Sequence, residues 1–147
     1  MNNKLRNISI ALSAVGLLTL VACQSMEQGK GQKASATLES KSGSKAKGEV
    51  TFTWQGNDVL INGTFSGLKP NAEQGFHVHE KGDCSAADAT SAGGHFNPES
   101  KAHGMPNSGM NHAGDLPNIK SDANGNATYS AKLHGFAVNT GPTGILG

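Results

Sequence analysis

The chain is short of arginine, cysteine and aromatic residues. Of its 147 residues one is arginine (Arg6), two are cysteine (Cys23 and Cys84), and aromatics make up 5%. Charge is sparse, at 16% of positions, and near balance at +1. The first 22 residues carry two of the twelve bases and none of the eleven acids, so the remaining 125 hold ten bases against eleven acids, a net of −1. A basic footprint is missing, which argues against nucleic acid as a partner. The hydrophobic fraction of 35% is low. Without a strong net charge, however, disorder is not the default, and the length allows one domain and little more. The apolar run over residues 8–22 is too short to span a bilayer as a helix. No sustained 3.6-residue period follows it, which argues against a helical domain.

What is present begins with an address. Lys4 and Arg6 form a short basic region before the apolar run, and no stop-transfer pattern follows, so residues 1–22 read as a cleaved signal. The junction Leu20-Val21-Ala22-Cys23 resembles the bacterial lipobox, in which the cysteine thiol is acylated and becomes the first mature residue. Cys23 is therefore the expected lipidation site, and several acyl chains would anchor the protein to a membrane stably where one would not. Gln24, in place of an aspartate, points to the outer membrane, hence to a lipid-anchored protein of the periplasm and cell envelope. Residues 23–33 read as the lipidated cysteine and a polar, Gly-containing tether, and residues 34–147 as the domain. An exported compartment permits disulfides, yet Cys84 alone remains once Cys23 carries lipid. It is either free or paired with a group outside this sequence.

The domain shows short alternating runs. Val50, Phe52 and Trp54 share one face of a predicted strand. Gln55-Gly56-Asn57-Asp58 reads as a hairpin turn into a second strand, Val59-Leu60-Ile61-Asn62-Gly63-Thr64-Phe65. A third run is Gly75-Phe76-His77-Val78-His79. Asn124-Gly125 signals a turn into Ala127-Thr128-Tyr129-Ser130-Ala131-Lys132-Leu133. Many short strands with Gly, Pro and Asn between them predict an all-β sandwich or barrel. Residues 80–117 differ: they are rich in Gly, Ser, Ala, Asn and His and nearly empty of β-branched residues. A loop of that length in a compact domain is usually functional or disordered, and the histidines in this one favour function.

Five of the six histidines, His77, His79, His95, His103 and His112, fall within 36 residues, and Asp115 follows. On a strand, His77 and His79 project from one face while Phe76 and Val78 project from the other. Imidazoles plus one carboxylate, without a thiolate, suit Zn²⁺, Cu²⁺ or Ni²⁺ rather than calcium. His134 reads as a surface or strand-end residue. Met105 and Met110 lie between the loop histidines; thioethers favour Cu(I), but loop filler is the preferred reading.

The blocks Gly75-Phe76-His77-Val78-His79-Glu80-Lys81-Gly82-Asp83-Cys84-Ser85, Gly93-Gly94-His95-Phe96-Asn97-Pro98, His103-Gly104 and His112-Ala113-Gly114-Asp115-Leu116 resemble, in order and spacing, the bacterial exported copper/zinc superoxide dismutases. The resemblance runs from about Ala34 to Gly147. It implies an eight-stranded Greek-key sandwich and dismutation of superoxide to O2 and H2O2. It further implies copper ligation by His77 and His79 and a shared imidazolate at His95, the catalytic residue joining copper to zinc. His103, His112 and Asp115 would complete the zinc site. Cys84 would belong to the intrasubunit disulfide.

Ile145-Leu146-Gly147 resembles the residues just before the strand that carries the family's fourth copper histidine. The second disulfide cysteine and the arginine beside copper belong to that same family segment, so the resemblance implies a fold lacking its last strands. Two expectations follow: a dismutase, or an envelope-anchored zinc- and copper-binding domain without turnover. Ligand counting favours zinc over copper in the chain as given. A homodimer would meet through a strand surface, for which the sequence carries no diagnostic motif.

Overall fold

The computed structural model describes residues 31–146; the signal segment and Cys23 lie outside the described residues. Six strands form: β1 (Lys33–Leu38), β2 (Lys47–Trp54), β3 (Val59–Ser66), β4 (Glu73–His77), β5 (Asp115–Lys120) and β6 (Ala127–Leu133). They make a four-stranded antiparallel sheet in the order β1-β2-β3-β6 and a two-stranded antiparallel sheet of β4 and β5. The chain leaves the first sheet after β3, forms the β4–β5 pair, and returns to place β6 beside β3. The all-β, antiparallel expectation is met, with six strands among the described residues where the resemblance implies eight.

Alternation explains the first sheet. Val50 and Phe52 on β2, and Val59, Ile61, Gly63 and Phe65 on β3, are buried, while the residues between them are less so. The register sets Phe52 opposite Ile61 and Gly63 opposite Tyr129. Gly63 leaves room for the Phe65 ring, which a methyl group at that position would approach to 3.0 Å. Phe65, Phe76 and Tyr129 pack edge to face at centroid distances of 5.3–6.3 Å, which joins the two sheets through a single core. The Tyr129 hydroxyl is buried in that core with no hydrogen-bond partner among the described residues. Burial also holds its proton on far above the ordinary phenol range.

Three local expectations need correction. The tether expected to end at residue 33 is already paired before that point: Gly31 N–H donates to Trp54 O, Trp54 N–H donates to Gln32 O, and β1 begins at Lys33. The third strand ends at His77, two residues earlier than expected, and His79 forms an isolated bridge with His95. The loop expected to reach Pro117 gives way to β5 at Asp115 and contains a 3-10 turn, Thr90–Ala92. Pro117 is tolerated because Pro117 and Asn118 oppose the single residue Gly75, a bulge that needs no regular ladder bond there.

Candidate metal centre

Backbone hydrogen bonds tie together the segments that carry the histidines. Val78 N–H donates to Gly114 O (2.9 Å), Gly114 N–H to Phe96 O (2.8 Å), and Phe96 N–H to Val78 O (2.8 Å). This three-way knot ties together the segments carrying His77 and His79, His95, and His112 with Asp115. Gly114 sits where they meet, and any Cβ there would run into the Val78 carbonyl and the backbone of Phe96. Cross-strand register adds two direct pairings, His77 with Asp115 and His79 with His95. Glu80 N–H donates to Gly94 O at 3.0 Å and extends the knot outward.

Asp115 is the centre of charge. It is 2% exposed. One carboxylate oxygen, Oδ2, accepts the N–H of Gly104 (3.1 Å) and of His112 (3.0 Å). The other, Oδ1, lies 3.0 Å from His95 Nδ1, 3.0 Å from His103 Nδ1 and 3.4 Å from His112 Nδ1. Burial acts to raise its pKa. The donated N–H groups of Gly104 and His112, with the His95 ring beside them, outweigh that and hold it down to about 2.

His95 faces both sides of the cluster. Its Nδ1 is also 3.4 Å from His112 Nδ1. Its ring stacks on His77 at a centroid distance of 3.9 Å and meets His79 edge-on at 5.5 Å. His103 lies 5.7 Å from His77 by centroids, and the ligand atoms of His77, His95, His103 and Asp115 all fall within 4.8 Å of one another. His79 is exposed, and its Nδ1 contacts Gly93 O at 2.9 Å. His77 has its pKa lowered, first by burial and then by the neighbouring His95, which favours the neutral ring with one nitrogen free as a donor to metal.

Four donors arranged tetrahedrally about 2.0 Å from a common centre stand about 3.3 Å apart. The separations of 3.0, 3.0, 3.4 and 3.4 Å among His95, His103 and His112 Nδ1 and Asp115 Oδ1 are close to that. An N₃O set without thiolate fits zinc, and neighbouring imidazoles suit copper. Of the six residues named as ligands from the sequence, His77, His95, His103 and Asp115 bring their donor atoms together, His112 joins them through Asp115 and His95, and His79 stands at the edge with its ring 5.5 Å from that of His95. Sequence reasoning missed the supporting backbone: the Gly93 carbonyl and the Gly104 N–H. The adjacent glycines of Gly93-Gly94 and His103-Gly104 are the only trace of it in the sequence.

Other residues lie apart. Cys84 is exposed and free among the described residues. His134 is exposed and pairs with Asp58, which also binds Lys132 at 2.8 Å, and it takes no part in the cluster. No helix among the described residues is long and apolar enough to cross a membrane.

An antiparallel all-β fold whose longest connection brings His95, His103 and His112 onto one buried carboxylate, beside His77 at the end of β4, defines a domain whose donor set suits a metal ion. Residues 46–147 match the family described as copper/zinc superoxide dismutase (SODC), and the chain belongs to that family. It is 41% identical over 117 residues to superoxide dismutase [Cu-Zn] of Botryotinia fuckeliana, covering 78% of this chain and 73% of that one. It is 47% identical over 95 residues to superoxide dismutase [Cu-Zn] 1 of Aquifex aeolicus (64% and 55%). With superoxide dismutase [Cu-Zn] of Paramecium bursaria Chlorella virus 1 it shares 52% identity over 84 residues (57% and 44%). The chain thus spans about half the length of the last two. The solved structure of the clock protein EA4 superposes with a TM-score of 0.70 at 40% identity, covering 80% of this chain and 72% of that one.

Proposed function

We propose that the protein is a copper/zinc superoxide dismutase of the cell envelope, with His95 as the residue shared between its two metal sites. In this reading His95, His103, His112 and Asp115 hold zinc, and His77, His79 and His95 hold copper. When bound, copper supplies the one-electron exchange that converts two superoxide ions and two protons to O2 and H2O2, and zinc supplies a fixed positive charge. The observation that carries the reading is the position of His95, with Nδ1 against Asp115 and His112 while its ring faces His77 and His79.

The chain's own residues then have separable roles. Asp115 fixes the orientation of His95 and stays ionised across the physiological range. With Nδ1 committed to the zinc side, Nε2 of His95 is the atom that takes up and returns a proton. The Gly93 carbonyl accepts a hydrogen bond from His79 Nδ1–H, which leaves Nε2 of His79 as its ligand atom. His79 is exposed and His103 is 61% exposed, so a small anion can approach from this rim. The test is metal content and superoxide consumption of the purified full chain. Copper and zinc both bound, with dismutation lost in His95→Ala, supports the reading. Metals bound without turnover would favour a binding-only domain.

The location forms part of the same proposal. Lys4, Arg6, the apolar run and Leu20-Val21-Ala22-Cys23 support export and acylation at Cys23. Metabolic labelling with palmitate should mark the protein and fail to mark Cys23→Ser. Equal labelling of both would refute the anchor.

A further inference from the structure

Among the described residues, the large hydrophobic side chains left exposed are Met105, at 77%, and Met110, at 68%. Neither fills the loop interior, so packing does not account for them. Both lie on the excursion between His103 and His112. Met105 opens a turn in which its carbonyl accepts Ser108 N–H at 3.1 Å, with Pro106 and Asn107 (φ +62°) at the centre. Ser108 Oγ then accepts the Met110 N–H at 3.3 Å. The chain returns on itself so closely that a methyl group at Gly104 would lie 2.7 Å from the Met110 carbonyl oxygen. Met110 thereby stands beside the residue that precedes Met105, and two flexible thioethers leave neighbouring points of the backbone. Gly104 is itself fastened to the cluster, its N–H donating to Asp115 Oδ2 at 3.1 Å.

Thioethers are soft donors that select Cu(I) and discriminate against Zn²⁺ and hard cations. We propose that Met105 and Met110 form a Cu(I) capture site on the outer rim of the metal loop, a stop from which copper passes to the histidines. The loading role rests on the copper reading of His77 and His79; the thioether site itself does not. Transfer is ligand exchange alone, with no electron moved. Two thioethers make a weak site, as an entry point must be if the ion is to leave it for imidazoles.

The test uses the zinc-loaded full chain with methionine methyl groups labelled with carbon-13, titrated anaerobically with Ag(I) as the Cu(I) probe and then with Cu(I). The expected result is that the Met105 and Met110 methyl resonances move together with the first equivalent, in the wild type and in His77→Ala/His79→Ala alike. Zn²⁺ should leave them unmoved. In Met105→Leu/Met110→Leu, zinc content and unfolding should be unchanged, while transfer of Cu(I) from a donor complex to the histidines slows. Methyl resonances that stay put while the histidine resonances shift would overturn the capture site and leave the copper reading intact. Movement of only one methyl would overturn the pair. Methyl shifts with no later change at His77 and His79 would uphold the thioether site and refute the copper reading. An unchanged transfer rate in the double leucine variant would overturn the loading role.

Discussion

Replacing Asp115 by asparagine preserves shape and removes charge, and it strikes both functions of that side chain. Without metal, the carboxylate accepts two backbone N–H bonds, from Gly104 and His112. A hydrogen bond to a charged acceptor contributes about 1 kcal/mol more than one to a neutral acceptor, so the metal-free variant should lose about 2 kcal/mol. If the amide turns the other way, its NH₂ opposes those two donors and the loss is no smaller. With metal, one of four donors becomes a neutral amide at a position shared by three Nδ1 atoms. Zinc affinity should fall by at least about 100-fold, which at fixed free zinc removes about 2.7 kcal/mol of the stability that zinc confers. Urea unfolding of wild type and variant, each with and without zinc, separates the two losses, and chelator competition measures the affinity independently. A variant that keeps the wild-type zinc increment would refute the assignment of Asp115 as a ligand.

Further outcomes follow from the same geometry. Gly114→Ala forces a methyl group into the backbone knot, so the fold should lose about 2 kcal/mol and zinc affinity should drop with it; unchanged denaturant midpoints would contradict the knot's role. Tyr129→Phe removes a buried hydroxyl that has no partner, and stability should rise by about 1 kcal/mol, read as a higher urea midpoint; a loss of that size would show the hydroxyl to be satisfied. In the metal-free protein, Asp115 titrates near 2 against an ordinary 3.8. Its contribution of about 2 kcal/mol is therefore complete above about pH 4 and disappears as pH falls through 2. Asp115→Asn should flatten that acid limb, and an unaltered limb would assign it to other carboxylates.

Much of the first sheet could be read from side-chain alternation, because Val50, Phe52, Val59, Ile61 and Phe65 each have one wet and one dry neighbouring face. Asn124-Gly125 announced β6, and its bounds agree with the expectation. β1 was hidden because Lys33-Ala34-Ser35-Ala36-Thr37-Leu38 is an edge strand of small residues, of which only Ala34 and Leu38 reach the core. β5 was hidden because Pro117 speaks against a strand until the bulge opposite Gly75 is known. The ligands were readable because metal chemistry restricts residue type and order along the chain. Their supports were not, since the Gly93 carbonyl and Gly104 N–H are backbone groups that any sequence possesses. Likewise, spacing alone did not tell that Met105 and Met110 face solvent.

The most direct measurement is anomalous diffraction at the copper and zinc edges from crystals of the full chain loaded with both metals. A zinc maximum is expected among His95, His103, His112 and Asp115, and a copper maximum beside His77 and His79, with the His95 ring between the two. A single maximum, or a His95 ring turned away from either ion, would contradict that arrangement.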